Sequence, residues 1–178
     1  MKIEKKWCMP DSRTFRIKPI KDLILKYKPF NGVILDPFAN EMSIKQYFLD
    51  NQFLKYISND LDTDYETDYN LEAQDFLKMW DDNSVDLVLY DPPYSGRQVS
   101  ECYKKLNKTV TMSDTNSGYY VKFKEEISRI VKKGGIVISL GWSSNGIGKK
   151  YGFEQIEILL VAHGGNHNDT IVTVERKL

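Results

Sequence analysis

No apolar run in the 178-residue chain approaches the roughly 20 residues of a membrane-spanning helix. Cysteine is almost missing: Cys8 and Cys102 stand far apart, which excludes a disulfide scaffold and a cysteine-based zinc site, and they are expected to be reduced thiols of a cytoplasmic protein. The start, Met1-Lys2-Ile3-Glu4-Lys5-Lys6-Trp7, has basic residues without a following apolar region, so no secretory signal is expected. Repeats, low-complexity tracts and Pro/Gly-rich linkers are absent too. The length suits one α/β domain over residues 1–178. Net charge is also lacking, with 25 basic and 25 acidic side chains, but the two signs are segregated. Lys2 to Lys28 carries nine basic and three acidic residues, whereas Asp60 to Asp91 carries eleven acidic residues opposed only by Lys78. Arg97 to Lys150 returns to eleven basic against four acidic. Such sorting either creates a phosphate-attracting face or is an ordinary solvated surface.

What is present is a series of short apolar runs separated by helix-like stretches. Val33-Ile34-Leu35 ends at Asp36, Tyr56-Ile57-Ser58 closes at Asn59-Asp60, and Val85 to Tyr90 is stopped by Asp91-Pro92-Pro93. A weaker strand is expected near Tyr69-Asn70-Leu71, and a fifth over Ile136 to Leu140. Ser43 is expected to cap a helix carrying Ile44, Tyr47 and Phe48. A longer helix is expected from Tyr120 to Lys132, ended by Gly134-Gly135. Ile156 to Val161 and Thr170 to Val174 flank a Gly/Asn/His loop and read as a hairpin. Strands alternating with helices predict a doubly wound, mostly parallel sheet with this antiparallel hairpin at its C-terminal end. Asp36, Asp60 and Asp91 then fall at the carboxyl ends of strands, where such sheets bind ligands.

Asp91-Pro92-Pro93-Tyr94 carries the sharpest chemical signal. A proline turn that merely terminates a strand accounts for the two prolines but requires neither the Asp nor the Tyr. An amine conjugated to a planar base is a poor nucleophile because its lone pair is delocalised. The Asp91 carboxylate and the Pro92 carbonyl could each accept one of its N–H bonds, drawing the nitrogen toward tetrahedral geometry. Pro93 fixes φ and holds the corner rigid, and Tyr94 would stack on the base. In a duplex the base must first leave the stack.

These four residues resemble the catalytic motif of S-adenosylmethionine-dependent amino-methyltransferases, above all the DNA adenine-N6 methyltransferases, and the resemblance runs along most of the chain. Asp36-Pro37-Phe38-Ala39-Asn40 is similar to that family's cofactor motif, with Asn40-Glu41-Met42-Ser43 where the family usually has glycines. Asn59-Asp60 resembles the acidic position that binds the cofactor ribose, and Asp75-Phe76 the pair that contacts its adenine. Thr14 to Ile20, with Lys18-Pro19, resembles a segment that packs beside the cofactor. Gly141-Trp142 and the stretch His163 to Asp169 resemble small phage and prophage adenine methylases. The resemblance implies a Rossmann-like class I methyltransferase fold with seven strands, S-adenosylmethionine as cofactor, DNA as partner and no membrane. It also implies catalytic roles for Asp91, Pro92, Pro93 and Tyr94. Cofactor roles follow for Lys18, Pro19, Asp36, Pro37, Phe38, Asn59, Asp60, Asp75 and Phe76.

Taken singly, each of these has a plainer reading. Asp36 would simply end a strand, Asp60 would be one of several solvated acids, and Phe76, at helical spacing from Trp80, would be core. Arg97, Lys104, Lys105 and Lys108, in a stretch from Ser95 to Gly118 with little periodicity, are expected to form a loop that clasps nucleic-acid phosphates, or else a mobile surface loop. His163 and His167 lie in a turn rather than on a helix, so no metal is expected. No separate target-recognition domain is expected, which leaves a brief, loosely specified recognition site or dependence on a homodimer or a specificity partner as the alternatives. An RNA adenine or a protein amide presents similar chemistry, and a catalytically silent cofactor-binding subunit is the reading from another class.

Overall fold

The computed structural model describes residues 1–178 except the side chain of Ser117. Its centre is a seven-stranded sheet built from β1 (Lys2–Trp7), β2 (Gly32–Asp36), β3 (Leu54–Ser58), β4 (Val85–Tyr90), β5 (Val131–Gly141), β6 (Phe153–Ala162) and β7 (Thr170–Lys177). The spatial order is β1-β6-β7-β5-β4-β2-β3. All neighbours pair in parallel except β7, which is antiparallel to both β5 and β6. The expected doubly wound sheet with a C-terminal hairpin is therefore the observed architecture.

The central strands are apolar on both faces because both are covered. Leu35, Val88 and Val137 point into a core shared with α2 (Ala73–Lys78), α3 (Gly96–Lys105) and α5 (Val121–Ile130), which contribute Phe76, Val99 and Phe123. Their neighbours Ile34, Leu87, Leu89 and Ile138 face the opposite core, where α1 (Lys18–Lys26) supplies Ile20 and Ile24. A one-turn helix, α4 (Met112–Thr115), closes the segment before α5 with a capping box between Thr111 and Asp114.

Four local expectations change. The seventh strand is β1, at the edge beside β6, and not Tyr69-Asn70-Leu71, which keeps a single bridge from Asn59 to Tyr69. Acidic side chains explain the loss: Asp60 and Asp62 accept the backbone N–H groups of Asp62 and Asp64, so the chain turns instead of extending. The helix expected at Ser43 shortens to a 3-10 turn over Lys45–Tyr47, with Ile44 and Phe48 still buried. α5 ends at Ile130, and Gly134-Gly135 lie within β5, where the β4–β5 register shifts between Val85 and Leu87. The fourth change is the supposed clasping loop, whose first half is α3, capped by Ser95 and anchored by Val99 and Tyr103 at i and i+4.

Candidate active site

The carboxyl ends of β2, β3 and β4 open into a cleft of about 430 Å³, within the range of small-molecule and cofactor sites. Its walls come from the turn after β2 (Pro37 to Asn40), the turn after β3 (Asn59 to Asp62), the corner Asp91 to Tyr94, and the strap Ser12 to Phe15. The far wall is Leu71 to Ala73 together with Cys102, Lys105 and Leu106 of α3 and its end. The turns after β2 and β3 are bound to each other. Asn59 N–H donates to the Asp36 carbonyl and Ala39 N–H to the Asn59 carbonyl, at 2.8 and 2.9 Å.

Buried Asn59 is fully engaged as a clamp. Its amide donates to the carbonyls of Pro37 and Leu71, and its oxygen accepts from Leu71 N–H. Asp60, next along the chain, projects at the cleft and accepts Asn40 N–H and Asp62 N–H at 2.8 and 2.9 Å. Burial raises its carboxyl above the usual range, against these two backbone donors. The turn that supplies Asn40 takes positive φ at Asn40 (47°) and Met42 (49°), the conformation that glycines would otherwise provide.

At the corner after β4, the Tyr94 hydroxyl donates to Asp91 Oδ1 at 2.6 Å, and Thr14 is a second side-chain partner of this carboxylate. Burial pushes the Asp91 carboxyl up to about 6, with Tyr94 and Thr14 opposing the shift. Tyr94 N–H is held by Gln98 at 2.6 Å, and the Pro93 carbonyl accepts the Tyr120 hydroxyl at 2.8 Å. The Pro92 carbonyl accepts no hydrogen bond among the described residues. The Tyr94 ring meets Trp142 edge to face, with centroids 5.7 Å apart. A corner fixed at both flanks thus keeps one carbonyl and part of one carboxylate open as acceptors, since a carboxylate offers about four lone-pair sites.

Of the residues singled out from sequence, Pro37, Phe38, Asn59, Asp60, Asp91, Pro92, Pro93, Tyr94 and Lys105 line this cleft. The others lie elsewhere. Asp36 is fully buried below it, accepting the Tyr56 hydroxyl at 2.6 Å, while its Oδ1 has no partner. Lys18 is exposed and paired with Asp22, and Pro19 serves the first turn of α1. Phe76 is fully buried in the core against Tyr69 and Trp80, and Asp75 is exposed beside Lys78. The entrance of α2 faces the cleft instead, so Leu71, Glu72 and Ala73 stand where Asp75 and Phe76 were expected. The cations expected to clasp phosphate are largely neutralised. Arg97 pairs with Glu101, Lys105 with Asp62 and Lys108 with Glu72, which leaves Lys104. Sequence reasoning did not select Tyr65 or Cys102, which also line the cleft, and singled out cleft-lining Phe15 only as part of the segment Thr14 to Ile20. No periodic signal marks them, because each reaches the cleft from a different segment.

Asp36 gives a stability prediction. Burial raises its carboxyl from 3.8 to about 8, with the Tyr56 hydroxyl opposing. An acid with a higher pKa folded than unfolded holds its proton more tightly in the fold, so stability is lost as pH rises through this window. The slope is at most about 1.4 kcal/mol per pH unit. Asp36→Asn keeps an acceptor for Tyr56 and is expected to flatten the decline in urea midpoint between pH 6 and 8. An unchanged slope would refute the assignment.

No protein-family model matches the chain, and no curated protein matches it in sequence. The fold is shared with solved methyltransferases. TrmN from Thermus thermophilus superposes with a TM-score of 0.61 at 18% identity, over 91% of this chain and 49% of TrmN. The 1,6-didemethyltoxoflavin-N1-methyltransferase of Burkholderia thailandensis, solved with 1,6-didemethyltoxoflavin and S-adenosylhomocysteine, superposes with a TM-score of 0.62 at 12% identity. That match covers 90% of this chain and 77% of the other. The chain thus spans about half the length of TrmN. Among the described residues no helix is long and apolar enough to cross a membrane.

Proposed function

We propose that the chain is an S-adenosylmethionine-dependent methyltransferase acting on the N6 amino group of adenine in DNA, presented as a base swung out of the duplex. The observation that carries this reading is the Asp91 carboxylate beside the unpartnered Pro92 carbonyl, in the cleft that also holds Asp60. The fold shared with methyltransferases supports it, as does one neighbour solved with S-adenosylhomocysteine.

The cleft suits the cofactor. Asp60 keeps lone pairs for a ribose diol after accepting two backbone N–H groups, and the left-handed turn at Asn40 and Met42 replaces the missing glycines. Leu71 and Ala73 offer apolar wall for a purine. When bound, S-adenosylmethionine supplies a methyl group activated on a sulfonium sulfur.

The chain's own residues then prepare the acceptor nitrogen. Asp91 takes one N–H and the Pro92 carbonyl the other, which turns the lone pair out of conjugation at an atom that gains positive charge as its new C–N bond forms. With the methyl group leaving a bound sulfonium as the new C–N bond forms, Asp91 would take the surplus N–H proton and pass it to water. Acceptors already fixed by Pro93, Gln98 and Tyr120 need no reorganisation.

Incubation with methyl-labelled S-adenosylmethionine and matched DNA, RNA and protein substrates, followed by mapping of the modified base, tests the proposal. Label in N6-methyladenine of DNA is the expected result, and label only in RNA, protein or a free heterocycle would reassign the substrate. Because Asp91 must be ionised to accept the amine, kcat/KM is expected to fall with decreasing pH along a limb centred near 6. A profile flat from pH 5 to 8 would remove Asp91 from this role.

A further inference from the structure

The nucleic-acid partner expected from the proposed function must leave the cleft across one of its flanks, and the two flanks differ. The β3 side is acidic: Asp60, Asp62, Asp64, Glu66 and Asp68 follow β3, and of the nearby cations Arg97, Lys105 and Lys108 are spent on Glu101, Asp62 and Glu72, which leaves Lys104. Phosphates approaching there meet repulsion or ion pairs that must first be broken.

The other flank runs along the same end of the sheet over β5, β7, β6 and β1. Trp142 follows the last residue of β5 and is 44% exposed, although its ring touches Tyr94 of the catalytic corner. Trp7 ends β1 and is 67% exposed. Between them lies the exposed tip of the β6–β7 hairpin, Gly164 to Asn168. The strap returns from Trp7 to Thr14 at the cleft, tied down by Cys8 N–H to the Ala162 carbonyl and by buried His163 to the Cys8 carbonyl. Lys6, beside Trp7, and Arg16, beside the cleft-lining Phe15, are exposed and make no ion pair among the described residues.

We infer that this rim, from Trp142 to Trp7 with Lys6 and Arg16, is the track that holds the nucleic-acid strand flanking the target base. The inference rests on the function proposed above. Four strand spacings separate β4 from β1, about 19 Å, the length of roughly five or six nucleotides of a B-form strand. Exposed indole rings give sequence-tolerant stacking platforms, and the unpaired cations along the rim, Lys6 on the face of β1 opposite Trp7 and Arg16 on the strap, take the phosphates. Trp142 serves as the first platform because it is continuous with the ring of Tyr94.

The test is binding of a fluorescein-labelled 20-mer duplex with one adenine opposite an abasic site, titrated across salt concentrations, alongside labelled methyl transfer. Lys6→Glu with Arg16→Glu is expected to weaken binding tenfold or more and to reduce the salt slope by about two. Trp142→Ala is expected to weaken it roughly tenfold, in line with the loss of one stacked base. Arg97→Glu with Lys104→Glu is expected to change affinity less than threefold. S-adenosylmethionine affinity, unchanged in all three, reports that each variant folds. Greater loss from the α3 pair than from the strap pair, or unchanged affinity in Trp142→Ala, would overturn the track while DNA methylation by the wild type still stood. A wild type that neither binds nor methylates the duplex would overturn the function together with it.

Discussion

Asp91→Asn is expected to lower single-turnover methyl transfer to adenine by at least about 100-fold, the scale on which removing one preorganised electrostatic group slows a reaction. The substitution preserves shape and an oxygen that can still accept the Tyr94 hydroxyl, so the corner fixed by Gln98 and Tyr120 stays in place. What disappears is the negative charge facing a nitrogen that becomes cationic. An amide that swings its NH2 toward the substrate amine opposes it donor to donor. Because Asp91 is not a cofactor ligand in this scheme, S-adenosylmethionine affinity by calorimetry is expected to stay within threefold. Burial already raises the Asp91 carboxyl, so removing that charge is not expected to destabilise the fold. Turnover comparable to wild type would defeat the assignment. An equal loss of cofactor affinity would make Asp91 a ligand rather than an acceptor for the amine.

The strands that bear the site were readable because their chemistry is local. β2, β3 and β4 are short apolar runs, buried on both faces, with an Asp at or within two residues of each ligand end: Asp36, Asp60 and Asp91. β1 was not readable. Its six residues lie at the sheet edge, nearly all exposed, so no apolar pattern distinguishes them from a charged tail. α3 was missed for a related reason, since only Val99 and Tyr103 of its ten residues are buried. Asp75 and Phe76 were singled out by resemblance, and the structure sets them away from the cleft, because α2 starts at Ala73 and it is its entrance that lines the cleft. The pairing of Lys105 and Lys108 with acidic partners 43 and 36 positions away is a tertiary property that no window of sequence contains, whereas Arg97–Glu101 is a local i,i+4 pair that shows only once α3 is recognised.

Asp60→Ala is expected to weaken S-adenosylmethionine binding about 10- to 100-fold, with kcat at saturating cofactor changed little. Hydrogen bonds to a charged acceptor contribute about 1.5–3 kcal/mol each, and the proposed ribose contact uses this carboxylate. The same carboxylate holds Asn40 N–H and Asp62 N–H, so truncation also loosens the turn that faces the cofactor. Asp60→Asn separates the two effects. Its amide oxygen can still accept one backbone N–H, keeping much of the turn, but the charged acceptor is lost and an NH2 group faces the diol. If ligation dominates, Asn is expected to cost nearly as much affinity as Ala. If Asp60 matters only by bracing the turn, Asn restores most of the binding. Affinity unchanged in both variants would remove Asp60 from the site, and with it the reason to orient the cofactor toward β3 rather than toward the strap.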